Sequence, residues 1–307
     1  MLFRQLEYLV ALSRERHFAR AAQACFVSQP TLSEAIRKLE EELDVPLIHR
    51  ERRFQGLTPE GERIVRWAER ILADRDAMRQ EVGALRTGLS GRLTLGVIPT
   101  AAPAVPLLTS RFCAKHPLTQ VQVQADLSTA DIIRRLRNFE IDVALIYATD
   151  AEANGLTALP LYRERYVFLT PSDGEFARRE SLGWAEAARV PLCLLTPSMH
   201  GRRRLDAFFA EAGVSPTPQL ETDSIAALCS HVATGQWSSI VPAPFARAFD
   251  DTAGVRAVPL GGSDHTGLVG LVTSSREPGS VIGRAFVDVA RSTDVAAELE
   301  QSGGHGG

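Results

Sequence analysis

The sequence predicts an α/β protein in two parts, a small winged helix-turn-helix joined by one long helix to a larger region of alternating strands and helices. Three observations lead there. Two short helical patterns meet with almost nothing between them over residues 18–37. A heptad-spaced apolar series runs from Ile64 to Leu89. Beyond Gly91, apolar runs of strand length alternate with helical patterns as far as residue 291.

Leu2, Leu6, Leu9, Val10 and Leu12 fall largely on one helical face, which should support the helix pair from behind. In the first helix of the pair, Phe18, Ala21, Ala22 and Cys25 keep the i, i+3, i+4, i+7 spacing of a buried stripe. Ser28 can cap the second, and Pro30 falls in its first turn, where a missing N–H costs no hydrogen bond. Leu32, Ala35, Ile36 and Leu39 form the buried stripe of that helix. Gln29, Thr31, Ser33, Glu34, Arg37 and Lys38 are left outside, an arrangement suited to the DNA major groove. The same geometry also serves ordinary helical packing. After Pro46, Leu47-Ile-His-Arg50, the charged turn Glu51-Arg-Arg53 and Phe54-Gln-Gly-Leu57 predict a short two-stranded wing, irregular at Gly56. It would set Arg50, Arg52 and Arg53 beside phosphates, or form a solvated charge cluster.

Thr58-Pro-Glu opens the long helix with a cap, a proline and an acid in the first turn. Ile64, Ala68, Ile71, Arg75, Met78, Val82, Leu85 and Leu89 then step by fours and threes, a heptad seam interrupted once by Arg75. A helix of about thirty residues spans about 45 Å and cannot bury its seam against itself. A second copy of the chain is the simplest partner; the chain's own C-terminal region is the alternative. Gly88, Ser90 and Gly91 mark a boundary near residue 90.

In the C-terminal region, strands are expected at 92–98, 121–125, 143–147, 166–169, 192–195, 239–241 and 267–272. Helices are expected at about 103–115, 129–139, 202–212, 224–234 and 279–291. Such alternation predicts mostly parallel strands. Ligands of such sheets bind beyond the carboxyl ends of strands, where helix starts attract anions. Hydroxyl residues stand there at Thr100, Ser128, Thr129 and Thr196, the last running through Ser198 into Arg202. The hydroxyls could donate to an effector and Arg202 could pair with its carboxylate; simple helix capping would explain the hydroxyls equally well.

Composition restricts the alternatives. At 307 residues and 33.4 kDa, two or three domains are expected. No apolar run approaches the roughly 18 residues that a membrane helix needs, and the first residues lack the order of a signal peptide. Net charge is -3, so any basic face must be local. Through residue 58 there are nine basic and eight acidic residues, with the acids clustered at 40–44, past the groove-entering end of the helix. Cys25, Cys113, Cys193 and Cys229 show no metal-ligand spacing and sit in apolar patterns, so each is expected to be a buried small hydrophobe. A redox switch between Cys193 and Cys229 has no support in the spacing. No phosphate loop, dinucleotide fingerprint, zinc-protease helix or nucleophile elbow is present, so neither a catalytic residue nor a metal ligand is nominated.

Four blocks carry a more specific signal: Ser28-Gln-Pro-Thr-Leu-Ser33, Ile36-Arg-Lys-Leu-Glu-Glu-Glu-Leu43, Pro46-Leu-Ile-His-Arg50 and Leu57-Thr-Pro-Glu-Gly61. In this order they resemble the LysR-type transcriptional regulators. The resemblance implies a DNA-binding domain at 1–58, a linker and dimerisation helix with its hinge at 59–90, and an effector domain at 91–300. That last domain would be periplasmic-binding-protein-like, with lobe I at about 92–162 and 268–292 and lobe II at about 163–267. Residues 301–307 would be a disordered tail. The DNA-binding set would be Ser28, Gln29, Pro30, Thr31, Ser33, Arg37, Lys38, Arg50 and Arg53, with Gln29, Thr31 and Ser33 on base edges and Ser28, Arg37, Lys38, Arg50 and Arg53 on phosphates. The family's effector pocket adds the segment around Thr222 to Thr100, Ser128, Thr129, Thr196 and Arg202. The implied partners are double-stranded DNA, a second copy in a homodimer or dimer of dimers, and a small-molecule effector, with no cofactor and no membrane. Localisation would be cytoplasmic, nucleoid-associated on DNA. The chain departs from the family pattern at Phe26, Asp44, His49 and Trp237. An enzyme or transport-type binding protein with a helical adaptor, or a purely structural dimer, are the rival readings.

Overall fold

The computed structural model describes residues 1–50, 54–125, 127–247, 254–261, 266–274 and 280–301. Two compact units divide between Thr87 and Gly88.

In the first unit, α1 (Phe3–Glu15), α2 (Phe18–Ala24) and α3 (Gln29–Leu43) precede β1 (Ile48–Arg50), β2 (Phe54–Leu57) and α4 (Pro59–Thr87). The Ser28 hydroxyl oxygen accepts from the Thr31 N–H at 3.3 Å and so starts α3. Tyr8 and Leu12 of α1, Ala21 and Ala22 of α2, and Leu32 and Ile36 of α3 form one apolar cluster. Leu6, Leu9, Val10, Leu39, Leu47, Val65 and Ala68 form a second, which seats α4 on α1. Three non-glycine residues take left-handed backbone here: Arg16 (φ 51°) closing α1, Phe26 (φ 55°) in the turn between α2 and α3, and Asp44 (φ 52°) closing α3. Phe26 and Asp44, departures from the family pattern, therefore stand at sites where L-residues are strained.

Within the acidic run at 40–44, Glu40 is buried, and its carboxylate accepts from the backbone N–H groups of Leu47 (2.8 Å) and Ile48 (3.3 Å). It anchors the entry to the wing. β1 and β2 pair antiparallel, Ile48 with Leu57 and Arg50 with Phe54, with an irregular register between Ile48 and Arg50. Arg52 and Arg53 lie outside the described residues, and only the backbone of Arg50 is described.

The heptad seam is divided. Ala68 is buried in the cluster against α1, where Ile64 and Ile71 pack beside it. Arg75 is ion-paired with Glu7 and Asp76, its guanidinium 5.3 Å from the Phe3 ring centroid. Only Met78, Val82 and Leu85 remain open, at 62%, 53% and 84% exposure. Leu89 lies beyond the helix end and packs instead on the core of the second unit. A heptad spacing shows which residues share a face, but not which half of that face its own chain covers.

The second unit holds two lobes. Lobe I contains β3 (Gly91–Val97), a 3₁₀ turn (Pro99–Ala104), α5 (Val105–Lys115), β4 (Thr119–Gln124), α6 (Thr129–Arg137), β5 (Val143–Tyr147), α7 (Ala148–Ala153) and β6 (Thr157–Glu164). Lobe II contains β7 (Tyr166–Pro171), α8 (Trp184–Ala187), β8 (Cys193–Leu195), α9 (His200–Glu211), β9 (Leu220–Thr222), α10 (Ile225–Val232), β10 (Ser239–Pro242), α11 (Ala243–Arg247) and β11 (Val255–Pro259). The chain then returns to lobe I with β12 (Gly267–Thr273), α12 (Val281–Arg291) and α13 (Val295–Gln301). Sheet order is β4-β3-β5-β12-β6 in lobe I; lobe II has sheets β10-β7-β11 and β8-β9.

The strands are mixed rather than mostly parallel. β3 is parallel to β4 and β5, and β8 to β9, but β12 is antiparallel to both β5 and β6, and β10 and β11 to β7. Parallel neighbours come from helical crossovers; β12 re-enters from the other lobe and runs the opposite way. β6, β9 and β11, with α7, α8, α11 and α13, have no counterpart in the sequence expectation, being short or, in β6, broken in pattern by Pro160. Phe112 and Phe286 meet edge-on at 5.2 Å in lobe I, and Trp184 meets Phe208 and Phe209 at 5.2 and 5.3 Å in lobe II. Trp237 fits into lobe II, packing on its second core cluster with the indole N–H 3.3 Å from the Gln219 side-chain oxygen.

Candidate DNA-reading helix and effector cleft

On α3, Gln29, Pro30, Thr31 and Ser33 are exposed while Leu32, Ile36 and Leu39 of the same helix are fully buried. The helix is thus held by one side and offers the other. Ser28 is exposed at its start, its hydroxyl 2.7 Å from that of Thr31. Arg37 is not a bare cation: Glu34 (2.6 Å) and Glu41 both pair with it, and those carboxylates hold its guanidinium above the ordinary range. Lys38 lies 3.8 Å from Glu34. Any phosphate reaching Arg37 must compete with two neighbours on the same helix. Phe26, 95% exposed, stands in the turn leading to this surface.

In the second unit, Thr100, Ser128 and Thr129 line one small cavity together with Leu195, Met199, His200 and Gly201. The lobes approach closely there: a Cβ on Gly201 of α9 would stand 3.3 Å from the Thr100 methyl. Next to it, sharing Thr129 and His200, opens a cavity of about 460 Å³ between α6, α7 and α9, whose polar lining includes Arg134, Arg137, Asp150, Asn154 and Arg203. Ser128 caps α6, accepting from the Asp131 N–H at 3.1 Å.

Thr196, Arg202 and Thr222 line neither cavity. The Thr196 N–H donates to the Thr222 carbonyl at 2.9 Å, and the Thr222 hydroxyl accepts from the Ser224 N–H at 3.3 Å. Arg202 corrects the expectation that it meets an effector carboxylate. It is buried, donating to the Leu195 carbonyl (2.8 Å), Glu221 (2.6 Å) and Asp206 (2.8 Å). Its charge and its fork are satisfied inside lobe II.

Residues that the sequence did not single out form a polar network along the cleft floor. The Tyr147 hydroxyl donates to Glu164 at 2.5 Å and lies 3.0 Å from the Tyr166 hydroxyl and 3.2 Å from that of Thr100. Arg204 stacks over the Tyr147 ring at 4.7 Å. The His200 ring packs against the same tyrosine at 4.9 Å, with its Nδ1 3.3 Å from Asp150. Burial lowers the His200 pKa, Asp150 opposes this, and Arg203 and Arg204 reinforce it. Nothing in their spacing announces this group, because its members come from separate elements of both lobes.

Burial raises the Glu164 pKa, while its hydrogen bonds to Tyr147, Tyr166 and Thr100 and the Arg204 charge pull it back. The sign follows from proton linkage. Between the unfolded value of about 4.3 and the raised folded value, the folded chain holds the extra proton, so stability falls as pH rises through that window. Glu164→Gln should therefore leave the melting temperature unchanged below the window and raise it at neutral pH, as followed by thermal unfolding from about pH 4 to 8. A variant that loses stability at neutral pH would show that the tyrosines stabilise the carboxylate more than burial penalises it.

The cysteines divide. Cys193 and Cys229 are buried, and burial pushes both thiols up to about 11. Cys25 is half-buried, and Cys113 is exposed on α5, contrary to the expectation of four buried thiols. Among the described residues, no group of His, Cys, Asp and Glu is placed to hold a metal, and no helix is long and apolar enough to cross a membrane.

Comparison with known proteins fits this architecture. Residues 3–62 match the bacterial regulatory helix-turn-helix model of the lysR family, and residues 86–294 match the LysR substrate binding domain. The DNA-binding transcriptional dual regulator OxyR of Escherichia coli K12 is 30% identical over 297 residues, covering 95% of this chain and 94% of the relative. A probable hydrogen peroxide-inducible genes activator of Streptomyces viridosporus is 35% identical over 192 residues, 62% of this chain and 61% of the relative. Among solved structures, a cysteine-to-aspartate variant of full-length OxyR from Pseudomonas aeruginosa superposes with a TM-score of 0.75 at 28% identity, covering 97% of each chain. CbnR in complex with its target DNA shares the fold, with a TM-score of 0.65 at 22% identity over 95% of this chain and 99% of that one. A helix-turn-helix with one exposed polar face, a long helix and a two-lobed domain with a cleft are the parts of such a regulator. The chain belongs to the LysR family of transcriptional regulators, DNA-binding proteins that associate with copies of themselves and carry an effector-binding domain.

Proposed function

We propose that this regulator reads its operator with Gln29, Thr31 and Ser33 from α3, Pro30 holding the first turn and Ser28, Arg37, Lys38, Arg50 and Arg53 reaching phosphates. The exposure of these α3 residues on a helix whose opposite side is fully buried supports the reading most directly. The protein works in the cytoplasm, on the nucleoid when bound, and catalyses no reaction. A small molecule bound between the lobes, without metal or cofactor, shifts the balance between lobe arrangements and so the geometry of the assembly on DNA.

Several relatives are named for hydrogen peroxide. Here none of the four cysteines lines either cleft cavity, and Cys193 and Cys229, pushed up to about 11 by burial, carry little thiolate at neutral pH. Reversible binding, not thiol oxidation in the cleft, is the signal this chain is built to receive.

A footprint on genomic fragments, beginning with its own upstream region, tests the reading. The expected result is a defined protected segment with two-fold related half-sites. Diffuse, salt-sensitive binding without such a segment would refute it. On the protected fragment, Lys38→Ala should weaken binding on all sequences alike and reduce the salt slope by about one.

A further inference from the structure

We propose that the cavity between α6, α7 and α9 takes a small divalent anion, a dicarboxylate or a phosphate monoester, bridging Arg137 of lobe I and Arg203 of lobe II. The proposal rests on the effector-binding role of the C-terminal domain and names the chemistry of its ligand. A cavity of about 460 Å³ falls within the roughly 300–1,000 Å³ range of small-molecule sites. Its charge is not balanced. Arg134 has carboxylate neighbours in Asp131 and Glu140, and Asp150, 3.3 Å from His200, is the one carboxylate of the lining among the described residues, set against Arg134, Arg137 and Arg203. Arg137 instead donates to the carbonyl and side-chain oxygen of Asn154, and Arg203 to the Ser198 carbonyl, all neutral acceptors. Two guanidinium groups from opposite lobes therefore line one cavity and, among the described residues, donate only to neutral acceptors.

A second observation points the same way. Thr129 is 8% exposed, lines both this cavity and the smaller one, and its buried hydroxyl has no hydrogen-bond partner among the described residues. A buried hydroxyl without a partner is costly, and an anion oxygen would satisfy it. Guanidinium forks favour carboxylate and phosphate because two parallel N–H groups meet two oxygens, giving charge-assisted bonds stronger than neutral ones. Because the two arginines belong to different lobes, one anion between them would favour whichever arrangement keeps both in reach. The ligand and the lobe geometry would then be linked by differential binding. Arg202, the arginine that sequence position favours, is excluded by its three internal partners.

The test is calorimetric titration of the full chain with succinate, malate and inorganic phosphate at fixed ionic strength, with chloride as the control. At least one of the three is expected to bind with one site per chain, and acetate more weakly. Succinate or malate binding without phosphate binding identifies a dicarboxylate ligand; the reverse identifies a phosphate ester. Arg137→Gln and Arg203→Gln should each weaken that binding about tenfold, with unchanged thermal unfolding of the free protein, and Arg203→Lys should fall between. Absence of binding by all three, or equal affinity in both variants, would overturn the proposal, the latter placing the anion on another basic surface. Footprinting the same samples separates the two levels. Protection of DNA without anion binding discards this site alone, whereas anion binding without any protected segment discards the regulator reading.

Discussion

Substituting Met78, Val82 and Leu85 together by aspartate is expected to turn the protein into a monomer and to remove most of its operator affinity. These are the seam residues of α4 that its own unit leaves open. Burying each is worth about 1.5–3 kcal/mol per copy, and an isologous interface uses every one twice. Aspartates facing their counterparts replace that gain with like-charge repulsion. A dimer places two reading helices on two half-sites, so loss of the second converts an intramolecular step back into a bimolecular one, a penalty of about 10²–10⁴ in affinity. Sedimentation analysis and footprinting of the triple variant check both parts. Because all three side chains are exposed, the unit should keep its fold, and circular dichroism should show it. A variant that stays dimeric with wild-type affinity would place self-association elsewhere in the chain.

A matched pair of glycines in α4 gives the second large effect. A Cβ on Gly61 would overlap the backbone carbonyl of Leu47. That carbonyl cannot turn aside: Leu47 is fully buried, its N–H is held by Glu40, and the neighbouring Thr58 hydroxyl donates to Pro46 while accepting from Gly61. Overpacking of this kind costs about 1–3 kcal/mol or more, against a total of about 5–15 kcal/mol for a domain. Gly61→Ala should lower the unfolding temperature of the DNA-binding unit by about 4–8 °C per kcal/mol and weaken operator binding on warming. Gly83, on the same helix, has nothing within 4 Å of an added Cβ. Gly83→Ala should stabilise by about 0.5–1 kcal/mol, through lower unfolded-state entropy and better helix propensity. If both substitutions shifted stability in the same direction, the close approach at Leu47 would not be the controlling contact.

The two sites were unequally legible. The face of α3 could be read directly, since exposure of Gln29, Thr31 and Ser33 follows from the 3.6-residue period once Leu32, Ile36 and Leu39 are assigned inward. Helix starts were equally open, because a cap such as Ser28 and the N–H that it accepts from lie three residues apart. The cleft was not. Thr100, Ser128 and Thr129, which a topological rule puts at strand ends, line the small cleft cavity, yet Arg202 follows the same rule and is enclosed by Glu221, Asp206 and Leu195. Its neighbour Arg203 lines the cavity instead. One helical position separates a structural arginine from a candidate ligand-binding one, and periodicity over a short, highly charged helix does not resolve that step.

By itself, then, the sequence determined whatever is settled within a few residues: the helix-turn-helix, its caps, the length of α4, the alternation of strands and helices, and the family. Tertiary structure decided the rest. It divided the heptad seam between α1 and open surface, made Glu40 of the acidic run a buried anchor, reversed β12 between β5 and β6, and assembled Tyr147, Glu164, Tyr166 and His200 on the cleft floor. The physical reason is range. Helical period and capping act through neighbours along the chain, whereas burial, charge pairing and strand direction depend on segments brought together only when the chain crosses between lobes.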